Sequence, residues 1–223
     1  MFDRRSFLSL AALSLYPLGA DAYVLPGYGI LREAKRKLKR SKGLKVVLDT
    51  QVWGRETRMM NTLSERWDFT EAGRLTTRWQ TTETRWSTGM AAPISPTFPG
   101  LDLRVILLGL FGSAGLDSVL SHLGISPKNS RLGLLSSNPM LVVGTKTPRD
   151  TAPDIWFNKA TWTVERIRFG APDSRSDLRL SDWGQPATHG LFPERMTLSL
   201  NDRPVRLSKT IGLETLEERV KGG

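Results

Sequence analysis

The side chains that most often carry out catalysis are sparse in this chain of 223 residues. It has two histidines and no cysteine, which excludes zinc–thiolate sites, disulfides and thiol nucleophiles. His122 closes an apolar helical stretch, where a basic residue complements the helix dipole. His189 lies in the loop QPATHGLFP, with no second histidine at metal-ligand spacing. The histidines therefore favour neither a metal site nor a general base.

The motifs of nucleophilic and phosphate chemistry are missing as well. H-E-x-x-H, G-x-S-x-G and the glycine patterns that cradle phosphates do not occur in the sequence. Gly112-Ser113-Ala114-Gly115 places a serine beside glycines but lacks the spacing of a nucleophile elbow. Asp177 and Asp182 bracket one predicted strand, where carboxylates are ordinarily solvated. We therefore predict that the protein is not an enzyme and that it has no metal or other cofactor.

The first 22 residues, MFDRRSFLSLAALSLYPLGADA, have the features of an export signal. Arg4 and Arg5 precede an apolar run from Phe7 to Leu18, and ADA supplies a small-residue cleavage site. The run is shorter than the roughly 20 apolar residues that span a bilayer. The pattern Arg-Arg-x-Phe-Leu is similar to the twin-arginine signal. We predict cleavage after Ala22, a periplasmic location and one domain over 23–223; Sec export and an ordinary N-terminal helix are the alternatives.

The formal net charge of +10 makes anionic partners the expected ones. For an exported protein this favours an anionic membrane surface and not nucleic acid. A basic helix is predicted over ILREAKRKLKRSK, in which the apolar residues recur at helical spacing. We favour a helix that packs this stripe on the core, and the alternative is a helix that lies on anionic lipid. In the second case the headgroup contacts are Lys35, Arg36, Lys39 and Arg40.

After the basic helix the pattern changes to short strands. In LKVVLDTQVWG, Val46, Leu48 and Val52 alternate on one face, and Trp53 lies on the other. The following segments predict an antiparallel meander that is apolar inside and polar outside. Strand patterns return beyond MLVVG and continue toward the C-terminus, with Asn201-Asp202 as a turn. We predict a mainly β fold with helices (α+β) and about ten strands.

The two strand regions are separated by a very apolar stretch, LDLRVILLGLFGSAGLDSVLSHLGI. Gly112 to Gly115 divide it into two helices, the second over Leu116 to Leu123. A helix that is apolar on all sides has to be buried, and this stretch is too short to span a membrane. The simplest interpretation is that these helices and the tryptophans fill one core. A curved sheet that faces such helices can instead enclose a cavity for an acyl chain.

The order of elements resembles that of the LolA-like family, the periplasmic lipoprotein carrier and its outer-membrane lipoprotein-sorting relatives. The local resemblance is greatest in VVGTKTPRDTAPDIWFNKATWTVERIRF and in DLRLSDWGQPATHGLFPERMTLSL. In that family a strand ending in glycine precedes a polar loop and a strand of the type I-W-F-[ND]. Here these are Gly144 and Ile155-Trp156-Phe157-Asn158, with Arg166 on the return strand and Gly190-Leu191-Phe192-Pro193 leading into a later one.

The resemblance implies an unclosed antiparallel β-barrel whose central helices form a lid over a hydrophobic cavity. It implies a carrier or chaperone that binds lipid or lipoprotein acyl chains for outer-membrane delivery, with inner- and outer-membrane partner proteins. The implied wall residues are Trp53, Trp67, Phe69, Trp79, Phe157 and Phe169, and the implied lid residues are Val105, Leu107, Leu108, Phe111 and Leu120. Gly109, Gly112 and Gly115 are candidate hinges of the lid. A non-catalytic envelope subunit with a filled core and an envelope hydrolase are the two alternatives.

Overall fold

The computed structural model describes residues 25–38, 43–53, 60–70, 74–81, 87–89, 103–112 and 114–215. The predicted export signal and the predicted headgroup contacts Lys39 and Arg40 lie outside these residues. The described α-helices are α1 (Gly27–Lys37), α2 (Leu103–Phe111) and α3 (Leu116–Leu123), and short 3-10 helices cover Pro172–Ser174 and Pro186–Thr188. Within the described ranges no helix is long and apolar enough to cross a membrane.

Eleven described strands form one antiparallel sheet. The strands are β1 (Leu44–Trp53), β2 (Met60–Phe69), β3 (Leu75–Thr81), β4 (Ser87–Gly89), β5 (Ser130–Leu135), β6 (Asn138–Val143), β7 (Asp154–Asn158), β8 (Val164–Phe169), β9 (Ser176–Ser181), β10 (Arg195–Leu200) and β11 (Arg203–Thr215). Their order across the sheet is β4-β3-β2-β1-β11-β10-β9-β8-β7-β6-β5. The predicted mainly β fold, with an unclosed antiparallel barrel, an N-terminal helix and central helices, is confirmed.

The sheet consists of two meanders that meet in the middle. Strands β1 to β4 pair in sequence order, strands β5 to β11 do the same, and the pairing of β1 with β11 joins the two halves. The chain leaves one edge of the sheet at β4 and re-enters at the opposite edge with β5. Helices α2 and α3 occupy this crossing. The topology therefore carries both helices across one face of the sheet, which we call the concave face.

Two tight hairpin turns use left-handed backbone at residues other than glycine. Asn201 and Asp202, with φ of 48° and 61°, connect β10 to β11. Ser136 and Ser137, with φ of 48° and 68°, connect β5 to β6. Two successive positive φ angles match the twist of the flanking strands, and Asn and Asp tolerate them better than most residues. The predicted turn at Asn201-Asp202 is confirmed.

The core lies between the concave face and the helices. Along β1 the buried residues alternate with more exposed ones, and Leu44, Val46 and Leu48 point toward the helices as the sequence pattern predicts. Helix α1 packs Ile30, Leu31 and Ala34 into the same core. The favoured interpretation of the basic helix, with its apolar stripe on the core, is therefore confirmed.

Candidate functional site

The concave face carries four of the predicted wall residues. Trp67 and Phe69 alternate on β2, and Phe157 and Phe169 lie on β7 and β8 in the other half of the sheet. All four side chains are buried and belong to the main core cluster. Because their strands lie on both sides of the β1–β11 junction, the wall is assembled from both meanders. The structure thus brings these residues together although 88 or more positions separate the two pairs in the sequence.

The lid helices contact this wall through aromatic side chains. Phe111, at the end of α2, lies 6.1 Å from Phe69 and 4.4 Å from Phe192 between ring centres. Its ring centre is also 6.0 Å from that of Trp183. Leu107 and Leu120 are buried beside it, whereas Val105 and Leu108 are half-buried. The predicted lid residues therefore cover the concave face, with Phe111 as their central contact.

The fully buried Phe192 was missing from the predicted wall. It precedes β10 in the segment Gly190-Leu191-Phe192-Pro193, and its ring also contacts Trp67 at 6.4 Å and Phe69 at 6.3 Å. Glycine and proline on either side made this segment a loop in the sequence, and loops are expected at the surface. The signal available was a pair of large apolar residues, Leu191 and Phe192, within a loop.

Two of the predicted wall tryptophans lie away from the main core. Trp79 packs against Val52 and Leu63 in a separate small cluster near the far ends of their strands. Trp53 alternates with Val52 and so lies on the convex face, the side of the sheet that points away from the helices. The structure therefore places Trp79 at the rim of the concave face and does not bring Trp53 to it.

An apolar cavity of about 220 Å³ adjoins the lid. It lies where the C-terminal ends of α1 and α2 meet the loops before β8 and β10, and its apolar lining includes Leu110, Phe111, Trp183 and Leu191. Cavities that hold small-molecule ligands usually measure about 300–1,000 Å³. This cavity is therefore smaller than that range.

The glycines of the lid have different roles. A Cβ on Gly109 would lie 2.2 Å from Cγ2 of Val119 and 2.9 Å from the carbonyl oxygen of Gly115, so this glycine lets α2 and α3 touch. Gly115 has a φ of 80° and directly precedes α3. Of the predicted hinge positions, Gly115 has the left-handed backbone that suits a joint, whereas Gly109 is a packing contact within the lid.

A polar layer crosses the concave face between the main core and the Trp79 cluster. Glu65 of β2 and Arg206 of β11 form a buried ion pair across β1. The Nε of Arg206 donates to Ser208 Oγ at 3.1 Å, and Thr50 Oγ1 donates to the same hydroxyl at 2.9 Å. The guanidinium carbon of Arg206 lies 5.5 Å from the ring centre of Trp67. The sequence interpretation missed this layer, although Glu65 alternates with Trp67 and so had to face inward.

The convex face carries a second ionic cluster, centred on Trp156. The guanidinium carbons of Arg131, Arg166 and Arg168 lie 4.9, 5.2 and 5.3 Å from its ring centre. Asp154 pairs with Arg168 and accepts from the Trp156 Nε1 at 2.9 Å. The hydrogen bond to Asp154 raises the pKa of Arg168, whereas burial lowers the pKa of Arg131. These side chains cover β7 from outside, so Phe157 is fixed on the opposite face.

The basic side chains of α1 are partly engaged in ion pairs. Lys35 Nζ lies 2.6 Å from the Asp117 carboxylate on α3, which ties the lid to the basic helix. Arg36 pairs with Glu33 at 2.7 Å one turn away. A groove of about 460 Å³ separates α1 from α3, and its lining combines Arg32, Lys35 and Arg36 with apolar residues. Two of the four predicted headgroup contacts therefore border a basic groove next to the lid.

The two histidines lie at the surface of the protein. Both side chains are exposed, His122 in the last turn of α3 and His189 after the second 3-10 helix. In the parts of the chain that the structure describes, no group of three or more His, Asp or Glu residues could hold a metal ion.

Solved structures similar to this chain include members of the family that the sequence resembles. A LolA superfamily protein from Nitrosomonas europaea aligns at 8% identity with a TM-score of 0.44, over 86% of this chain and 94% of its own. A putative outer membrane lipoprotein-sorting protein domain from Vibrio parahaemolyticus aligns at 10% identity with a TM-score of 0.43, over 84% of this chain and 91% of its own. A DUF1329 family protein from Desulfovibrio piger aligns at 10% identity with a TM-score of 0.45, over 86% of this chain and 93% of its own. No family model and no curated protein matches the chain.

Proposed function

We propose that this protein is a periplasmic carrier or chaperone that binds an acyl chain of a lipid or lipoprotein on its concave face. The observation that carries the proposal is the way the lid is held. The ring contacts of Phe111 with Phe69 and Phe192 are apolar, and an apolar cavity lies directly beside them. Contacts of this kind have no directional requirement, so an acyl chain can replace them.

The energetics favour such an exchange. Each methylene group transferred from water into an apolar site contributes about 0.8 kcal/mol, so a chain of about ten methylenes contributes roughly 8 kcal/mol. The cavity of about 220 Å³ holds only part of such a chain. Insertion of the remainder would displace α2 and α3 from the wall, with a change of backbone at Gly115 as the joint. Binding and opening of the lid are therefore one event in this proposal.

The basic groove gives the carrier a means of approaching a membrane. Arg32 and Arg36 are exposed on α1, and the Lys35–Asp117 pair links that helix to the lid. Anionic headgroups attract each nearby basic residue by about 1 kcal/mol. We propose that these side chains, together with Lys39 and Arg40, bring the lid close to anionic lipid. The predicted export signal would place the protein in the compartment where such delivery takes place.

Native mass spectrometry of the mature protein, purified from periplasm, tests the proposal directly. We expect acyl-bearing adducts, and we expect the delipidated protein to bind a fluorescent fatty-acyl probe. Leu191→Trp fills the cavity beside Phe111, and a cost of about 1–3 kcal/mol for overfilling corresponds to about 5- to 150-fold weaker probe binding. Leu134→Trp is the matched control, because Leu134 is exposed on the edge strand β5 and should leave binding unchanged.

A protein that repeatedly arrives without lipid and takes up no probe would overturn the carrier hypothesis. The second candidate function would then apply, a non-catalytic envelope subunit whose concave face is filled by its own side chains. The close packing of Phe111 on Phe192 favours this candidate. Under it, Leu191→Trp lowers stability but changes no lipid binding, which distinguishes the two functions in one set of measurements.

A further inference from the structure

The polar layer on the concave face contains hydrogen-bonding atoms that the protein itself does not use. Among the residues that the structure describes, Glu65 Oε1, Arg206 Nη1 and Trp67 Nε1 are buried and have no hydrogen-bond partner. A buried polar group without a partner costs about 1–3 kcal/mol, and more when it is charged. Five buried side-chain atoms of this kind occur in the described residues, and three of them belong to this layer.

The three residues are in contact with one another. Arg206 Nη2 donates to Glu65 Oε2, and the guanidinium lies over the ring of Trp67 at 5.5 Å. Arg206 Nε donates to Ser208 Oγ at 3.1 Å, and Nη2 also donates to Thr50 Oγ1 at 3.5 Å. The arginine is therefore fixed in place by four neighbours while Nη1 stays available. Such a preorganised group is suited to receive part of a ligand.

We propose that this layer is a subsite for the polar linkage of the bound acyl chain, and that it selects a neutral secondary amide. Glu65 and Arg206 carry opposite charges, so the pair as a whole does not favour an anion. The unused atoms are two donors, on Arg206 and Trp67, and one acceptor, on Glu65. An amide carbonyl accepts from the two donors, and the amide N–H donates to the carboxylate. An ester linkage has no N–H and leaves Glu65 Oε1 without a partner.

The position of the layer suits this role. It lies between the main core, which the lid covers, and the Trp79 cluster at the rim. A ligand whose acyl chain enters under the lid would therefore carry its linkage past Trp67 and Glu65. The inference rests on the proposed function, because it requires an acyl chain to bind on this face.

Competition against the fluorescent acyl probe tests the subsite with three ligands of equal chain length. The ligands are N-methyldodecanamide, methyl dodecanoate and N,N-dimethyldodecanamide, of which only the first has an N–H donor. We expect the wild type to bind the N-methyl amide at least about tenfold more tightly than the other two, as one hydrogen bond to a charged group predicts. The double variant Glu65→Leu/Arg206→Met should reduce this preference to within about twofold.

Two further variants keep the test decisive. Replacement of a buried ion pair by apolar residues of similar volume often leaves a fold stable, and circular dichroism with thermal unfolding checks this for the double variant. Arg166→Met/Asp177→Leu removes an ion pair of 2.7 Å on the convex face and should keep the amide preference. Trp67→Phe keeps an aromatic ring, although a smaller one, and removes Nε1, so it should weaken the ester and both amides alike while the preference for the N-methyl amide persists. It remains informative if the double variant does not fold.

Each outcome bears on one of the two proposals. Equal binding of the three ligands by the wild type overturns the amide subsite and leaves the carrier function standing. A preference that survives Glu65→Leu/Arg206→Met, or that disappears in the convex-face control, overturns its assignment to this layer. Failure of the wild type to bind the probe or any ligand overturns the proposed function itself. A preference that only the Glu65 and Arg206 changes abolish supports the subsite.

Discussion

Replacement of Asp154 by asparagine should be among the most destabilising single changes on the convex face. The carboxylate is completely buried at the start of β7. Its oxygens accept from Arg168 Nε at 2.8 Å, from Trp156 Nε1 at 2.9 Å and from Thr145 Oγ1 at 3.2 Å. Arg131 adds a contact at 3.7 Å, so one carboxylate balances two largely buried guanidinium groups.

The magnitude follows from what Asp154→Asn leaves behind. Asparagine has nearly the same shape and keeps one oxygen as an acceptor, so packing around Trp156 changes little. The negative charge is lost, however, and Arg168 and Arg131 remain buried without it. Removal of one partner of a buried ion pair costs about 3–5 kcal/mol. Since domains are typically stable by only about 5–15 kcal/mol, we expect a loss of about a fifth or more of the total free energy of unfolding.

Equilibrium unfolding in urea at neutral pH measures this loss. Asp182→Asn is the matched control, because Asp182 pairs with Arg195 at 3.4 Å where both side chains are solvent-accessible, and such pairs contribute about 0–1 kcal/mol. We expect a lower midpoint with an unchanged slope for Asp154→Asn and nearly wild-type behaviour for the control. If both variants lose less than about 1 kcal/mol, the balance of charge assigned to Asp154 is wrong.

Two further predictions concern the lid and the loop before β7. In a thermal unfolding assay, Gly109→Ala should destabilise the protein by about 1–3 kcal/mol because the new Cβ would lie 2.2 Å from Cγ2 of Val119. Gly29→Ala in α1 is the control: a Cβ there would have no neighbouring atom nearer than 3.9 Å, so this change should be neutral or stabilising. Hydrogen bonds from the Thr147 hydroxyl and two backbone N–H groups lower the pKa of Asp150. The contribution of the Asp150 carboxylate to folding stability is thus complete above an unfolded-state pKa of about 3.9. It is lost as the pH falls through the lower folded-state pKa. Asp150→Asn should flatten the acid limb of stability against pH, and an unchanged acid limb would contradict this.

Much of the fold could be predicted because local chemistry and global topology agree. The alternation along β1 fixes which face Val46 and Leu48 present, and the structure follows it residue by residue. Asn201-Asp202 identifies a turn because few residues tolerate two positive φ angles in succession. The second lid helix, Leu116–Leu123, has the predicted bounds because Gly115 and Gly124 enclose it. The pairing of β1 with β11 has no such local signal, since it joins residues more than 150 positions apart.

The site was harder to predict because burial does not follow residue type there. Trp53 was assigned to the wall as a large aromatic residue, but strand alternation turns it to the convex face. Glu65 and Arg206 are charged and would ordinarily point to solvent, yet both lie at inward positions, opposite Leu48 and Val52 of the intervening strand β1 respectively. Phe192 reaches the centre of the aromatic cluster from a loop. Only the tertiary arrangement shows that Glu65, Arg206 and Phe192 lie on one face and Trp53 on the other.

The place of the lid in the chain determines what its opening would cost. Because α2 and α3 cross between the edge strands β4 and β5, they can move away from the concave face without breaking a hydrogen bond of the sheet ladder. What would be lost is apolar contact around Phe111 and the exposed Lys35–Asp117 ion pair, and an acyl chain would return apolar contact of the same kind. The free energy gained from the chain would then be partly offset by the loss of these lid contacts, a balance that would favour reversible loading over tight storage. Such a balance cannot distinguish one acyl chain from another of equal length. Selectivity would have to come from polar groups. On this side of the sheet, among the described residues, the buried side-chain atoms without partners belong to Glu65, Arg206, Trp67 and Trp183, and the first three of these residues form the polar layer.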